Sequence, residues 1–105
     1  MSSPELQEVT RAKMNLETAR IAWHELQRFF ASGSAIYVDP ALDLVEVAYQ
    51  ISEDNKEQVL KWMETRQLAP VTGEQAHAWH DADTDMWAVV VSPYVLVQPV
   101  VEPQH

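Results

Sequence analysis

Apolar positions recur at helical spacing through most of the chain and form one continuous run near its end. The stretch 43–71 predicts two short amphipathic helices, a polar corner and a strand that leaves the second helix. Each helix begins with an Asp followed three residues later by a Glu, first Asp43 and Glu46, then Asp54 and Glu57, which is a capping-box pattern. Two such helices with a tight corner resemble a helix-turn-helix in architecture.

An apolar stripe ahead of this stretch predicts a longer helix, capped by Asn15, running to about Ala31 and ended by Gly33. The stripe consists of Leu16, Ala19, Trp23, Leu26 and Phe30. The β-rich run 35–38 follows and predicts a brief strand that stops at Asp39-Pro40.

The last third of the chain predicts a helix between strands. Leu68 to Val71 reads as a short strand, in which Pro70 indicates an edge position or a bend. Thr72 and Gln75 form a further capping box, which opens a helix from about residue 73 to 81. The valine-rich runs 86–91 and 94–97 predict buried strand, and the intervening Ser92-Pro93 either turns a hairpin or bends one long strand.

These elements predict an α+β fold that is winged-helix-like, with about four helices and a small, mainly antiparallel sheet. We expect residues 14–98 to form a single domain, residues 1–13 a flexible N-terminal segment and residues 99–105 a disordered tail. The helix near 73–81 stands where a winged helix would have its wing loop.

Composition and net charge disfavour or exclude several classes of partner and chemistry. The 105-residue chain has a net charge of −9, which disfavours nucleic acid and anionic membranes as partners. It has no cysteine, which excludes disulfides and thiolate chemistry, and two glycines, which are too few for a phosphate-binding loop. No apolar run is long enough to span a membrane and the N-terminus lacks an apolar signal core, so we expect a cytoplasmic protein.

Short sequence segments spread over most of the chain resemble those of a small bacterial family of unknown function, DUF2288. The matching segments are residues 15–19, 25–30, 38–40, 42–48, 54–55, 68–71 and 87–93, with Trp23, Val59 and Trp62. The resemblance implies a shared fold and a bacterial origin. It implies no activity, substrate or cofactor.

Candidate metal ligands are few. His77 and His80 lie three residues apart on a predicted helix that ends at Asp81, and two imidazoles with a carboxylate could hold a divalent ion. A solvated helix end explains the same residues without a metal, because their spacing matches no recognised metal motif. We therefore expect no metal and no cofactor.

Catalytic residues are not evident either. His24 reads as a surface histidine. Asp39 and Asp43 could form a carboxylate pair for acid–base work, but a turn acceptor and a helix cap account for them equally. We expect no enzyme activity.

The chain has four tryptophans, and their positions suggest an interaction surface. Trp23 and Trp62 fall on helix stripes and are predicted core. Trp79 and Trp87 flank an acidic turn, and either of them together with Tyr94 would suit a protein interface, where aromatic residues are enriched.

The pattern thus predicts a non-enzymatic protein-interaction module whose partner is another protein or a second copy of the chain. A homodimer could form by edge pairing if the strands of region 86–98 border the sheet. The alternative is a winged-helix DNA-binding regulator with residues 55–66 as recognition helix. Three basic and four acidic residues in 53–66 argue against it.

Overall fold

A five-stranded sheet runs through the middle of the protein, in a computed structural model that describes Lys13 and residues 17–101. Its strands are β1 (Ala19–Ala22), β2 (Ala35–Val38), β3 (Leu68–Pro70), β4 (Asp85–Val91) and β5 (Tyr94–Pro99), arranged in the order β1-β4-β5-β2-β3. The β2–β5 pair is parallel and the other three pairs are antiparallel. The α+β class is confirmed, but the sheet is mixed and larger than the small sheet predicted.

The described residues contain four α-helices and one short 3-10 helix. They are the 3-10 helix η1 (Trp23–Leu26) and the α-helices α1 (Gln27–Ala31), α2 (Leu44–Ser52), α3 (Lys56–Glu64) and α4 (Gly73–Asp81). The predicted helices that start near residues 43, 55 and 73 correspond to α2, α3 and α4.

The long first helix of the sequence prediction is wrong in its first half. Residues 19–22 form β1, which pairs with residues 85–88 of β4 in antiparallel register. The Trp23 N–H then donates to the Thr84 carbonyl at 2.9 Å. Pairing with a strand 66 positions later in the chain outweighs the helical spacing of the apolar residues, because propensity is a weak prior against tertiary context. The predicted cap, Asn15, lies outside the described residues.

The predicted helix caps agree better with the structure. Asp43 caps α2, and its Oδ1 accepts from the Val45 and Glu46 N–H groups. Thr72 and Gln75 form the predicted capping box of α4. The cap predicted at Asp54 is wrong by one residue, because Asp54 has a positive φ of 56° in the corner after α2 and Asn55 caps α3 instead.

Strands β4 and β5 resolve one open question about region 86–98. They form an antiparallel hairpin in which Val91 pairs with Tyr94, so Ser92-Pro93 is a turn. Both strands are also paired on their outer sides, β4 with β1 and β5 with β2. The β1 pairing covers residues 85–88 of β4 and does not reach residues 89–91, so the homodimer through this region stays a prediction. The borders of the sheet are β1 and β3, with Pro70 on an edge as predicted.

Two apolar cores lie on opposite faces of the sheet. One core joins the sheet to η1, α1 and α4, and it contains the fully buried Trp23 with Met86 and Val97. The other joins the sheet to α2 and α3, and it contains Val47 and the fully buried Leu96. Alternate residues of β5 thus face different cores, as the period-two geometry of a strand requires.

The predicted N-terminal segment and C-terminal tail can be compared with the structure only in part. Residues 1–12, 14–16 and 102–105 lie outside the described residues, and with them most of the predicted N-terminal segment and tail. The sheet extends through Pro99, and the Val100 N–H donates to the Asp85 carbonyl at 3.1 Å. Within the described residues, the helices are all too short or too polar to cross a membrane. The winged-helix description stays a prediction.

Shortening a buried side chain of β5 should lower the stability of the protein far more than shortening an exposed side chain of β4. Leu96→Ala is expected to lower the free energy of unfolding by about 2–5 kcal/mol, since it leaves a cavity between the sheet and α2. Val90→Ala, at a 61% exposed position of β4, should change it by less than about 1 kcal/mol. Urea denaturation of both variants measures the difference, and equal losses would contradict the placement of β5.

Candidate functional site

The three aromatic residues predicted for an interface lie in three different settings. Trp79 packs against the first core, with its ring centroid 4.9 Å from that of Trp23 in an edge-to-face arrangement and 6.2 Å from that of Tyr37. Trp87 is 37% exposed and Tyr94 is 44% exposed. The structure brings no two of the three together, but Trp87 and Tyr94 each line a depression on the α2–α3 side of the sheet.

Tyr94 lies at an apolar groove of ≈ 340 Å³ between α2, α3 and the sheet. Its lining includes Ile36, Ile51, Val59, Met63, Tyr94 and Leu96. Among the described residues of the lining, Tyr94 supplies the only polar side-chain group. We call this depression the apolar groove.

The rim of the apolar groove on α3 is also apolar. Met63 is 48% exposed, and Leu60, one turn earlier in α3, is 56% exposed. Val59, which also lines the groove, and Trp62 pack against the second core, where they are partly buried. Helix α3 therefore carries apolar side chains both toward the core and toward solvent, which is unusual for a short surface helix.

Trp87 lines a second depression of ≈ 380 Å³ where the start of α2 meets the sheet. Its lining includes Leu42, Asp43, Leu44, Val45, Trp87 and Gln98. We call it the Trp87 cleft. The Arg20 guanidinium lies 6.0 Å from the centroid of the Trp87 ring, and its Nε is 3.1 Å from Asp85 Oδ2.

Gln98, which the sequence reasoning did not single out, is the one buried polar residue of the described chain. Its Nε2 donates to the carbonyl oxygens of Asp39 at 2.9 Å and Leu42 at 2.7 Å. These bonds tie the loop between β2 and α2 to the end of β5. A glutamine inside an otherwise apolar, buried strand was a signal of such a tether, but the sequence does not reveal its acceptors.

The two carboxylates considered for acid–base work have structural roles. Asp39 Oδ1 accepts from the Ala41 N–H at 2.8 Å, which closes the turn after β2. Asp43 caps α2 as described above. Each aspartate therefore uses one oxygen on backbone N–H groups.

The histidines are distributed rather than clustered. His77 Nε2 lies 3.2 Å from Asp81 Oδ2, while His80 Nδ1 is hydrogen-bonded to Gln27 Nε2 at 2.9 Å. His24 Nδ1 lies 3.7 Å from Asp83 Oδ1 at the surface. In the described part of the chain, no three histidine or acidic side chains come close enough to hold a metal ion.

Tyr37 is a partly buried residue that lies near Asp39. Its hydroxyl is on β2, and burial followed by the nearby Asp39 carboxylate raises the pKa of Tyr37 above its usual value of 10.0. Both causes disfavour the charged phenolate.

The fold and its surface define an α+β protein with helices on both faces of a mixed sheet. The family model described as a protein of unknown function, DUF2288, matches residues 9–99, so the chain belongs to that family. The NMR solution structure of PA1075 from Pseudomonas aeruginosa is similar over 100% of this chain and 99% of that one, with 40% identity and a TM-score of 0.80. No curated protein matches. The predicted family is confirmed.

Removing the amide of Gln98 should destabilise the protein. Gln98→Leu leaves the Asp39 and Leu42 carbonyls without their donor, so we expect a loss of about 1–3 kcal/mol in the free energy of unfolding. Gln58→Leu on α3 makes the same chemical change at a side chain without a hydrogen bond to a described residue, and should change it by about 0.5 kcal/mol or less. Thermal or urea melts that show equal effects would contradict the tether.

Ionisation of Tyr37 should couple to stability only at alkaline pH. The folded-state pKa is raised, so the folded protein holds the proton more tightly and stability falls as pH rises past 10.0. Tyr37→Phe is expected to flatten this part of the stability curve. Urea melts across that pH range measure it, and an unchanged slope in the variant would contradict the assignment.

Proposed function

We propose that the protein is a non-enzymatic interaction module that binds an apolar segment of a different protein in the apolar groove. The observation that carries this proposal is the exposure of large apolar side chains around one concave surface. Met63 and Tyr94 line the groove and are 48% and 44% exposed, and Leu60, three residues before Met63 in α3, is 56% exposed. Contiguous exposed apolar surface commonly marks an interaction site.

The shape of the groove suits a short chain segment. Its walls come from two helices and three strands, so the shape is held by the second core rather than by a loop. A partner that inserts apolar side chains there would cover groups that now contact water. Aromatic and methionine side chains such as Tyr94 and Met63 are enriched at such surfaces.

Charge indicates which partner fits. The chain has a net charge of −9, so a second copy would meet long-range repulsion, whereas a partner with basic residues beside its apolar segment would be attracted. Within α3 and its corner, Lys61 pairs with Glu57 and Lys56 lies 4.0 Å from Asp54. The acidic excess of the remaining surface therefore favours a basic partner over a homodimer.

The surface of α3 also favours protein over DNA. A winged-helix regulator would read DNA with this helix, which needs clustered free lysine and arginine for phosphate. The two lysines of α3 each have an acidic neighbour, and the exposed positions beside the groove are Leu60 and Met63. Apolar side chains of this size match a protein surface better than a phosphate backbone.

Structural roles of the polar groups support the non-enzymatic part of the proposal. Asp39 and Asp43 close a turn and cap a helix, and Gln98 tethers a loop. His80 joins α4 to α1 through Gln27. These structural roles support a protein whose polar side chains stabilise its fold.

A charged side chain placed in the groove should weaken partner binding at least tenfold. The full-length chain, Met63→Glu and Val101→Glu are each used to capture proteins from the cells that make the protein. Both variants have a net charge of −10, and Val101 is 69% exposed away from the groove lining. We expect one protein with basic residues to be retained by Val101→Glu and bound at least tenfold less by Met63→Glu, because tenfold is about 1.4 kcal/mol.

Several results would contradict the groove as the binding surface. Equal capture by both variants would place the contact elsewhere. Salt-sensitive binding of DNA by the unchanged chain, lost in Lys56→Ala, would favour the regulator. Sedimentation equilibrium showing a dimer of the 12.0 kDa chain that Met63→Glu dissociates would make the occupant a second copy.

A further inference from the structure

The apolar groove carries a side chain that peroxides oxidise readily, the thioether of Met63. Met63 is 48% exposed on the α3 wall of the groove, so a small oxidant in water can reach it. Among the described residues of the lining, it supplies the only sulfur. The chain has no cysteine, so a peroxide that meets this protein finds methionine sulfur and no thiol.

The second methionine of the described residues is an internal comparison. Met86 lies on β4 and is fully buried in the first core. A dissolved oxidant reaches such a side chain only when the structure opens, whereas Met63 is accessible in the folded protein. Met1 and Met14 complete the four methionines of the chain and lie outside the described residues.

Oxidation would change the chemistry of the groove wall. Hydrogen peroxide transfers one oxygen atom to the sulfur of methionine, so the sulfur loses two electrons, the O–O bond breaks and the second oxygen leaves as water. The product is methionine sulfoxide, which is polar. The neighbours of Met63 in the lining include Ile51, Val59 and Leu96, whose side chains offer no hydrogen-bond donor. An apolar segment in the groove would therefore cover an unpaired oxygen, which is unfavourable.

We propose that Met63 is an oxidation-sensitive site, and that its conversion to the sulfoxide by a peroxide weakens the binding of an apolar segment in the groove. The effect on binding rests on the function proposed for the groove, whereas the selective oxidation of Met63 does not. Methionine sulfoxide reductases reverse the reaction, so the change can act as a switch. The fold is retained, because the oxygen of a half-exposed side chain can turn toward water.

The first test is the rate of oxidation at each methionine of the full chain in dilute hydrogen peroxide, followed by proteolysis and mass spectrometry. We expect Met63 to be oxidised at least about tenfold faster than Met86, because Met86 reacts only during opening of the structure. Equal rates at Met63 and Met86 in the folded chain would overturn the proposal. So would unfolding that accompanies oxidation of Met63, which urea melts detect.

The second test uses the neutral apolar dye Nile red as the binding probe. Met63→Leu keeps a side chain of similar volume and removes the sulfur, and Met14→Leu makes the same change outside the described residues. After peroxide treatment, the unchanged chain and Met14→Leu should bind the dye at least about tenfold more weakly, and Met63→Leu should bind it as before. Methionine sulfoxide reductases should restore binding to the unchanged chain.

The outcomes separate this proposal from the function proposed for the groove. Equal loss of dye affinity in Met63→Leu and Met14→Leu, or no loss in the unchanged chain, would overturn the switch and leave the groove as a binding surface. Before any oxidation, equal dye affinity in Met63→Glu and Val101→Glu would contradict the groove itself. The absence of saturable dye binding by the unchanged chain would contradict both.

Discussion

The structure depends on the burial of β5 between two apolar layers. Leu96 faces the core under α2 and α3, while Val95 and Val97 face the core under η1, α1 and α4. Full burial of such side chains contributes about 1.5–3 kcal/mol each. Because β5 also pairs with β4 and with β2, the same strand joins the C-terminal hairpin to the middle of the chain. Both candidate surfaces are built on it, the apolar groove through Leu96 and the Trp87 cleft through Gln98.

Local signals made much of this fold predictable. Capping chemistry involves residues three or four apart, so Asp43 and the Thr72–Gln75 pair could be identified from the sequence. Strand pairing is not local. Residues 19–22 have good helical spacing, and only the partner strand at 85–88 shows that they are extended. The parallel β2–β5 pair was equally invisible, because residues 35 and 95 are far apart in sequence. The wider sheet follows from these two pairings.

The candidate sites were predictable only in part, for the same reason. Trp87 and Tyr94 are partly exposed and Trp79 packs against the first core, so the interface predicted for these three residues stays a prediction. Met63 follows the same helical spacing as the partly buried Val59 and Trp62, yet it is 48% exposed, because exposure depends on how α3 is rotated against the sheet. Gln98 acts as a tether only because its side chain donates to a loop 56 to 59 residues away in sequence. A surface or contact formed by residues that are far apart in sequence can be identified only once the fold is known.

The central claim is that the apolar groove is a protein-binding surface. Hydrogen–deuterium exchange of the full chain, alone and with its captured partner, tests this claim most directly because it locates the contact without any substitution. The account predicts slower exchange in α3 and in the β4–β5 turn next to Tyr94, with α4 unchanged. Slower exchange confined to η1 and α4, on the opposite face of the sheet, would contradict it.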